Sequence, residues 1–382
     1  MAEKFVTVVD VGSSKISALC ASRGVNNTFN LKAGAERPFG GFSEGQFFDE
    51  QEVYEVIKDL LDEIGEKLGS KIKEVYLGVP GAFVKLINKK FKISFSKPKR
   101  IREKDVQTLF DEGQALIKEE GYGVIGRKQM FFALDDGRRV DNPIGTVSAL
   151  LGGAITYLLC EEYFLQLLGA VFESLEIPKV NFVYVGQAEG GYLLGEDERD
   201  CPALIMDVGY ITTDIALHYG NGVIAKRSED IGGGILSFIF VRDYGLTPEE
   251  GEELKRGLNI GQSLNNSACY TIRTGDGVRE FSVDEINEKA VECIDDIVGI
   301  AYEFLEANTN RVTDTPSLYL TGGGIAYLRG IKSHLSARLG SQVEILEPKV
   351  PFYAKAGESS RFSLLDFALK DKDKSKRSLF QF

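Results

Sequence analysis

The chain has 382 residues, enough for two or more domains that each bury a core. A hydrophobic share of 43% beside 27% charged residues excludes wholesale disorder. With 57 acidic and 45 basic residues the net charge is −12, which argues against a nucleic-acid partner gripped through its phosphates.

Five cysteines, Cys20, Cys160, Cys201, Cys269 and Cys293, form no C-x-x-C pair. Neither a zinc site nor a disulfide framework is indicated, and all five read as reduced core residues. The first residues lack the apolar core and cleavage site of a signal peptide. No apolar run approaches the ~20 residues that span a bilayer, so a cytoplasmic protein is expected. His218 and His334, the only histidines, read as packed or surface residues rather than catalytic bases.

Residues 5–9 form an apolar run leading into Asp10, Val11, Gly12, Ser13, Ser14 and Lys15, and residues 16–20 begin a second strand. Residues 31–47 are glycine-rich and read as irregular. Val53, Val56, Ile57, Leu60, Leu61, Ile64 and Leu68 then recur at helical spacing, with acidic residues early and lysines late, as the helix dipole prefers. Residues 75–79 follow as a buried strand.

Residues 83–161 read as a separate module of strand, helix, strand and strand. Phe91, Ile93 and Phe95 alternate as a strand, and Val106, Leu109, Phe110 and Leu116 mark a helix over 103–118. Residues 130–134 and 148–159 supply the other strands, parted by a polar turn. The basic run 97–102 is expected to be a solvated surface, with docking of an acidic partner as the alternative. An amphipathic helix over 162–176, a strand over 180–185 and a helix from Gln187 carry the chain onward.

At residues 203–218 the opening device recurs: an apolar run, Asp207, a turn that Gly209 is expected to permit, and a second strand. Either copy alone is ordinary hairpin punctuation. Two copies suggest one per domain. Facing each other across a cleft, two such tips would surround a polyphosphate with N–H groups and hydroxyls, while Asp10 and Asp207 hold magnesium through waters.

Gly232, Gly233 and Gly234 mark a close backbone approach, with a plain loop as the alternative. Thr247 and Pro248 start a helix in the order of cap then proline. Ile286, Ala290, Ile294, Ile297, Ala301 and Leu305 line one face of a helical region over 281–308. A strand at 318–320 opens into Thr321, Gly322, Gly323 and Gly324 before a helix through 334–339, a unit that brings backbone against a ligand. Residues 370–377 hold five basic and two acidic side chains ahead of Leu379, Phe380 and Phe382. That composition points to a disordered tail, with contact to an anionic membrane as the alternative.

Together these elements resemble the actin-like ATPase superfamily and, within it, the FtsA family. D-V-G-S-S-K at 10–15 resembles the first phosphate loop, placing Gly12, Ser13, Ser14 and Lys15 at the phosphates. D-V-G-Y-I-T-T-D at 207–214 resembles the second, with Gly209, Thr212 and Thr213. Gly322, Gly323 and Gly324 correspond to the adenosine loop, Gly233 joins the cofactor-binding set, and G-E-E-L-K at 251–255 resembles the segment where Glu252 and Lys255 meet the adenosine. Gln187 sits where the superfamily orients the attacking water. The module 83–161 is similar to the insertion that sets FtsA and its relative PilM apart from actin.

The resemblance implies an α/β, actin-like two-lobed ATPase fold with duplicated mixed sheets and an FtsA-type inserted subdomain. Residues 1–82 and 162–190 would form the first lobe, 83–161 the insert, 191–368 the second lobe with a smaller subdomain near 232–300, and 369–382 a basic, aromatic tail. It implies ATP or ADP with magnesium in the cleft, slow turnover at most, and self-association into protofilaments. Partners would be an FtsZ-like tubulin homologue and other division proteins, with weak tethering through residues 370–382 to the inner face of the cell membrane. Tyr210 and Ile211 replace the family's small glycines, so binding is expected to outlast hydrolysis. Residues 375–382 make only about two helical turns, marginal alone. The alternatives are a PilM-like scaffold of a pilus or secretion platform, a nucleotide-free pseudo-ATPase, and a small-molecule kinase, whose carboxylate base Gln187 does not supply.

Overall fold

Two five-stranded sheets with one strand order organise the chain. A computed structural model describes residues 5–261, 268–275, 277–312 and 314–379. The first lobe opens with β1 (Val6–Val11), β2 (Lys15–Arg23), β3 (Phe29–Pro38), the short pair β4 (Phe42–Ser43) and β5 (Gln46–Phe47), α1 (Glu50–Leu68) and β6 (Glu74–Val79). The insert follows as β7 (Val84–Arg100), α2 (Glu103–Ala115), β8 (Tyr122–Leu134), β9 (Arg139–Val140) and β10 (Val147–Glu161). Then come α3 (Glu162–Ser174), β11 (Lys179–Tyr184), α4 (Val185–Leu193) and α5 (Glu196–Arg199). The second lobe holds β12 (Ala203–Val208), β13 (Thr213–Tyr219), β14 (Gly222–Glu229), α6 (Gly234–Tyr244), α7 (Pro248–Arg256), β15 (Cys269–Thr274), β16 (Gly277–Ser282), α8 (Val283–Asn308), β17 (Ser317–Thr321), α9 (Ile331–Leu339) and β18 (Val343–Ile345), before α10 (Ser359–Leu379).

The first sheet runs β11-β6-β1-β2-β3 and the second β18-β17-β12-β13-β14. In each, three antiparallel strands form a meander and two later strands add in parallel beside the first. The fold is therefore α/β with duplicated mixed sheets. Local signals set several boundaries. Asp49 accepts from Gln51 N at 2.9 Å to open α1, and Gly69 at φ 61° ends it. Thr247 accepts from Glu250 N at 3.2 Å, with Pro248 in the first turn of α7.

In the insert, α2 covers a sheet of order β7-β10-β8-β9 over Ile101, Leu109, Phe132, Ile155 and Tyr157. Its strands also reach the second lobe. Asn88 Nδ2 donates to Ile224 O at 2.5 Å and Thr156 Oγ1 to Val223 O at 2.9 Å, both on the edge strand β14.

Three segments differ from the sequence reading. The stretch read as irregular begins with β3, an edge strand whose alternation of Leu31, Ala33 and Ala35 is carried by small residues. Residues 359–379 are helical, and Phe362, Leu364, Leu365, Ala368 and Leu369 pack on Val6, Val8, Leu19 and Tyr76 of the first sheet. Residues 370–373, read as the start of a disordered tail, are tied to the body. Lys370 Nζ donates to Gly191 O of α4 at 3.4 Å, Lys372 pairs with Glu74, and Tyr76 Oη donates to Asp371 at 2.8 Å. Phe380 and Phe382 lie outside the described residues. Cys20, Cys160 and Cys293 are buried, whereas Cys201 and Cys269 are exposed and are not core residues. Among the described residues no helix is long and apolar enough to cross a membrane.

Candidate functional site

The two hairpin tips meet. Gly12 N donates to Lys15 O at 3.0 Å to close the β1–β2 turn, and Gly209 N donates to Thr212 O at 2.9 Å to close β12–β13. Ile211 N donates to Ser13 Oγ at 3.1 Å, joining one tip to the other. Gly209 lies outside the left-handed region, so its expected role as a turn permitting positive φ is corrected. What it supplies is room: a Cβ there would stand 3.0 Å from Thr212 O and 3.3 Å from Ser13 Oγ.

At the base of the tips lies a group of carboxylates. Burial raises the pKa of Asp10, against a 2.5 Å hydrogen bond from Ser360 Oγ. Asp207 is pushed up to about 7, first by burial and then by the charges of Asp214 and Asp10. Glu189, 2% exposed, is held well above the usual carboxylate range by burial and then by Asp207, Asp214 and Asp10. Asp214 Oδ2 accepts from Gly81 N at 2.9 Å, while Asp214 Oδ1 and Glu189 Oε1 have no partner among the described residues. Positive charge reaches only the edges of the set, Lys15 and Arg361 acting on Asp10 and Lys226 on Asp214, and its orphaned oxygens suit a divalent cation. Among the described residues no three metal-ligating side chains converge to hold an ion directly.

Two glycine loops close around the second tip. Gly233 N donates to Gly209 O at 2.9 Å, Gly234 N to Tyr210 O at 2.7 Å, and Gly324 N to Val208 O at 2.7 Å. A Cβ on Gly324 would stand 2.1 Å from Gly209 O, and one on Gly233 2.2 Å from Gly324 O. Gly322 combines φ 93° with 2.3 Å to Asp207 Oδ1, whereas Gly323 meets only Gly357 Cα at 3.6 Å. The triplet 232–234 is thus a close-approach element rather than a plain loop.

Other predicted site residues are engaged with the protein. Thr213 Oγ1, fully buried, donates to Ile231 O at 2.6 Å. Ser14 O accepts from Phe39 N at 3.0 Å, and Thr212 is buried. Lys15 Nζ lies 3.0 Å from Glu36, which also holds Arg361 at 3.2 Å. Lys255, 0% exposed, sets its Nζ 2.7 Å from Glu252 Oε2, 3.3 Å from Gly233 O and 5.0 Å from the centre of the Tyr210 ring. Burial lowers its pKa and Glu252 opposes that shift. Tyr210 and Tyr327 stay partly exposed above this pair, a wall on which a flat ring could stack.

The structure does not bring Gln187 into this group. Its Nε2 donates to Asn221 O at 3.0 Å, at the turn after β13. Thr213, at the near end of that strand, is six residues from Tyr219, about 20 Å away. On α4, Glu189 stands two positions on, about 200° around the helix, and it is Glu189 that faces the carboxylates. The one local sign of Glu189 is an isolated acid among the small and apolar residues of Val185–Leu193.

Residues 81–158 match the family model described as the SHS2 domain inserted in FTSA. That stretch is similar to the insertion of FtsA. Over 252 residues the chain is 19% identical to the cell division protein FtsA of Escherichia coli (strain K12), covering 66% of this chain and 60% of that one. It therefore spans less than two thirds of that FtsA. Among solved structures it is similar to a chain of the PilM-PilN type IV pilus biogenesis complex, with TM-score 0.64 and 17% identity over 95% of this chain and 98% of that one. It is also similar to MreB 5 of Spiroplasma citri bound to AMPPNP, with TM-score 0.57 and 13% identity over 99% and 100%. These likenesses show an actin-like fold, and the SHS2 match places the FtsA-type insertion where the sequence reading put its extra module.

Proposed function

We propose that the chain is an FtsA-like actin homologue of cell division that binds ATP with magnesium between its lobes and acts as an assembly protein. The observation that carries this reading is the meeting of two equivalent hairpin tips over the buried Asp10 and the half-buried Asp207, beside an insert of FtsA type. Asp10 and Asp207 would hold the metal through water. Gly12, Ser13, Ser14, Lys15, Gly209 and Thr212 would hold phosphates, and Gly233, Glu252, Lys255, Gly322, Gly323 and Gly324 would frame the adenosine. Bound magnesium would neutralise the polyphosphate and polarise its terminal phosphorus.

For this to happen Ser13 exchanges Ile211 N for ligand, and Lys15 leaves Glu36. Glu189, rather than Gln187, is the group able to orient a water there. Self-association and an FtsZ-like partner follow from the same reading. Membrane contact would rest on residues beyond 373, since 370–373 are bound to the body.

Calorimetry with ATP, ADP and magnesium tests the proposal. ATP binding that Asp207→Ala removes supports it. Wild-type protein that binds neither nucleotide overturns it and leaves the fold as a scaffold. Co-sedimentation with an FtsZ-like filament tests the partner, and release of ADP that depends on an added sugar would point to a kinase instead.

A further inference from the structure

A second polar cavity of about 140 Å³ lies away from the cleft, where the insert, both lobes and α10 meet. Lys128 of β8, Gln187 of α4, Arg199 of α5, His218 of β13, Asn221 and Lys370 of α10 line it. Gln187 is 5% exposed and its Oε1 has no partner among the described residues. His218 is 2% exposed and its Nε2 has none either. One buried orphan costs about 1–3 kcal/mol, and two on residues that line the same cavity point to a polar guest there.

The charges around the cavity say which guest. Its two carboxylates are already engaged, Asp366 between Lys370 at 2.6 Å and Arg23 at 3.5 Å, and Asp371 by Tyr76 Oη at 2.8 Å. Arg199 makes no ion pair among the described residues; its Nη1 donates only to Gly191 O, at 3.4 Å. Burial and the Arg199 charge keep the His218 imidazole neutral down to about 4, so in one tautomer Nε2–H is a donor at neutral pH. The bond from Gln187 Nε2 to Asn221 O fixes the orientation of the amide, and Oε1 is left as an acceptor.

We propose that this cavity binds a small carboxylate bearing a neighbouring hydrogen-bond donor, with the carboxylate against Arg199 and His218 and the donor at Gln187. The same chemistry belongs to a free hydroxy acid and to an aspartyl side chain beside its own backbone N–H. Because α4 and α10, which pack on the first lobe's sheet, and β13 of the second lobe all border the cavity, a bound guest touches elements of both lobes.

The presence of only two histidines makes the site directly observable. In full-length protein labelled with 15N-histidine, His218 reports on the cavity, and His334, 2.8 Å from Asp295, is the internal control. The probes are lactate, lactamide and an acetyl-aspartyl-glycine amide peptide. A saturable shift of His218 by lactate or the peptide, with His334 still and affinity lowered about tenfold or more in Arg199→Gln, supports the site. A lactate response assigns a free acid, and a response to the peptide alone assigns a partner segment. If Arg199→Gln does not fold, Gln187→Leu takes its place, with the same weakening expected. No shift by either carboxylate, equal shifts by lactamide, or joint movement of both histidines overturns the proposal and leaves a water-filled cavity.

Discussion

At the first hairpin tip Gly12 turns the chain, Ser360 caps Asp10, and Lys15 reaches out to a half-exposed Glu36. At the second, Gly209 turns the chain in the same way, but two glycine loops press on its carbonyls and a fully buried Lys255 lies beneath Tyr210. Strand order is duplicated while the surroundings are not. One tip is fastened by side chains near solvent, and the other by backbone packed on backbone. Substitutions of the same kind should therefore cost unequal amounts at the two tips.

Gly324→Ala places a methyl 2.1 Å from Gly209 O and should cost about 3 kcal/mol or more in urea unfolding, against about 1 kcal/mol for Gly12→Ala, where the nearest atom is Lys15 O at 2.9 Å. Equal losses would mean that the second tip is free to relax. Glu252→Gln strands the buried Lys255 and should cost about 3 kcal/mol. Glu36→Gln frees a Lys15 that is 42% exposed, and a loss below about 1 kcal/mol is expected in the same assay.

Protons offer a subtler probe. The folded pKa of Asp207, about 7, lies above its ordinary 3.8, so the native state binds the proton more tightly than the unfolded chain. Stability without nucleotide should then decline as pH rises from about 4 through about 7, and Asp207→Asn should flatten that decline. Thermal melts at pH 5 and pH 8 show it directly, and magnesium should stabilise the wild type more at the higher pH. The smallest differences concern single hydrogen bonds. Thr213→Val and Ser360→Ala should each cost about 1 kcal/mol, the first loosening the loop at Ile231 and the second raising the pKa of Asp10 further.

Much of this was legible in the sequence because it is written in short-range signals. The D-V-G tips, the Thr247–Pro248 start of α7 and the strand-helix-strand-strand insert all follow from turn residues and apolar period. Gln187 and Glu189 were not separable in that way. Which face of an apolar helix meets a carboxylate group depends on how α4 crosses between the lobes, and no period in Val185–Leu193 encodes it. Helix α10 escaped notice for a related reason. Residues 361–366 are buried on every side, Arg361, Ser363 and Asp366 included, so polar residues there do not mark a solvent face.

That burial has a consequence for synthesis. The apolar face formed by Val6, Val8, Leu19 and Tyr76 is covered by Phe362, Leu364, Leu365, Ala368 and Leu369, which leave the ribosome last among the residues of this core. The first lobe, begun first, is finished only after the second has been made. During translation its sheet waits with one side bare, a period of minimum protection set by chain order rather than by stability.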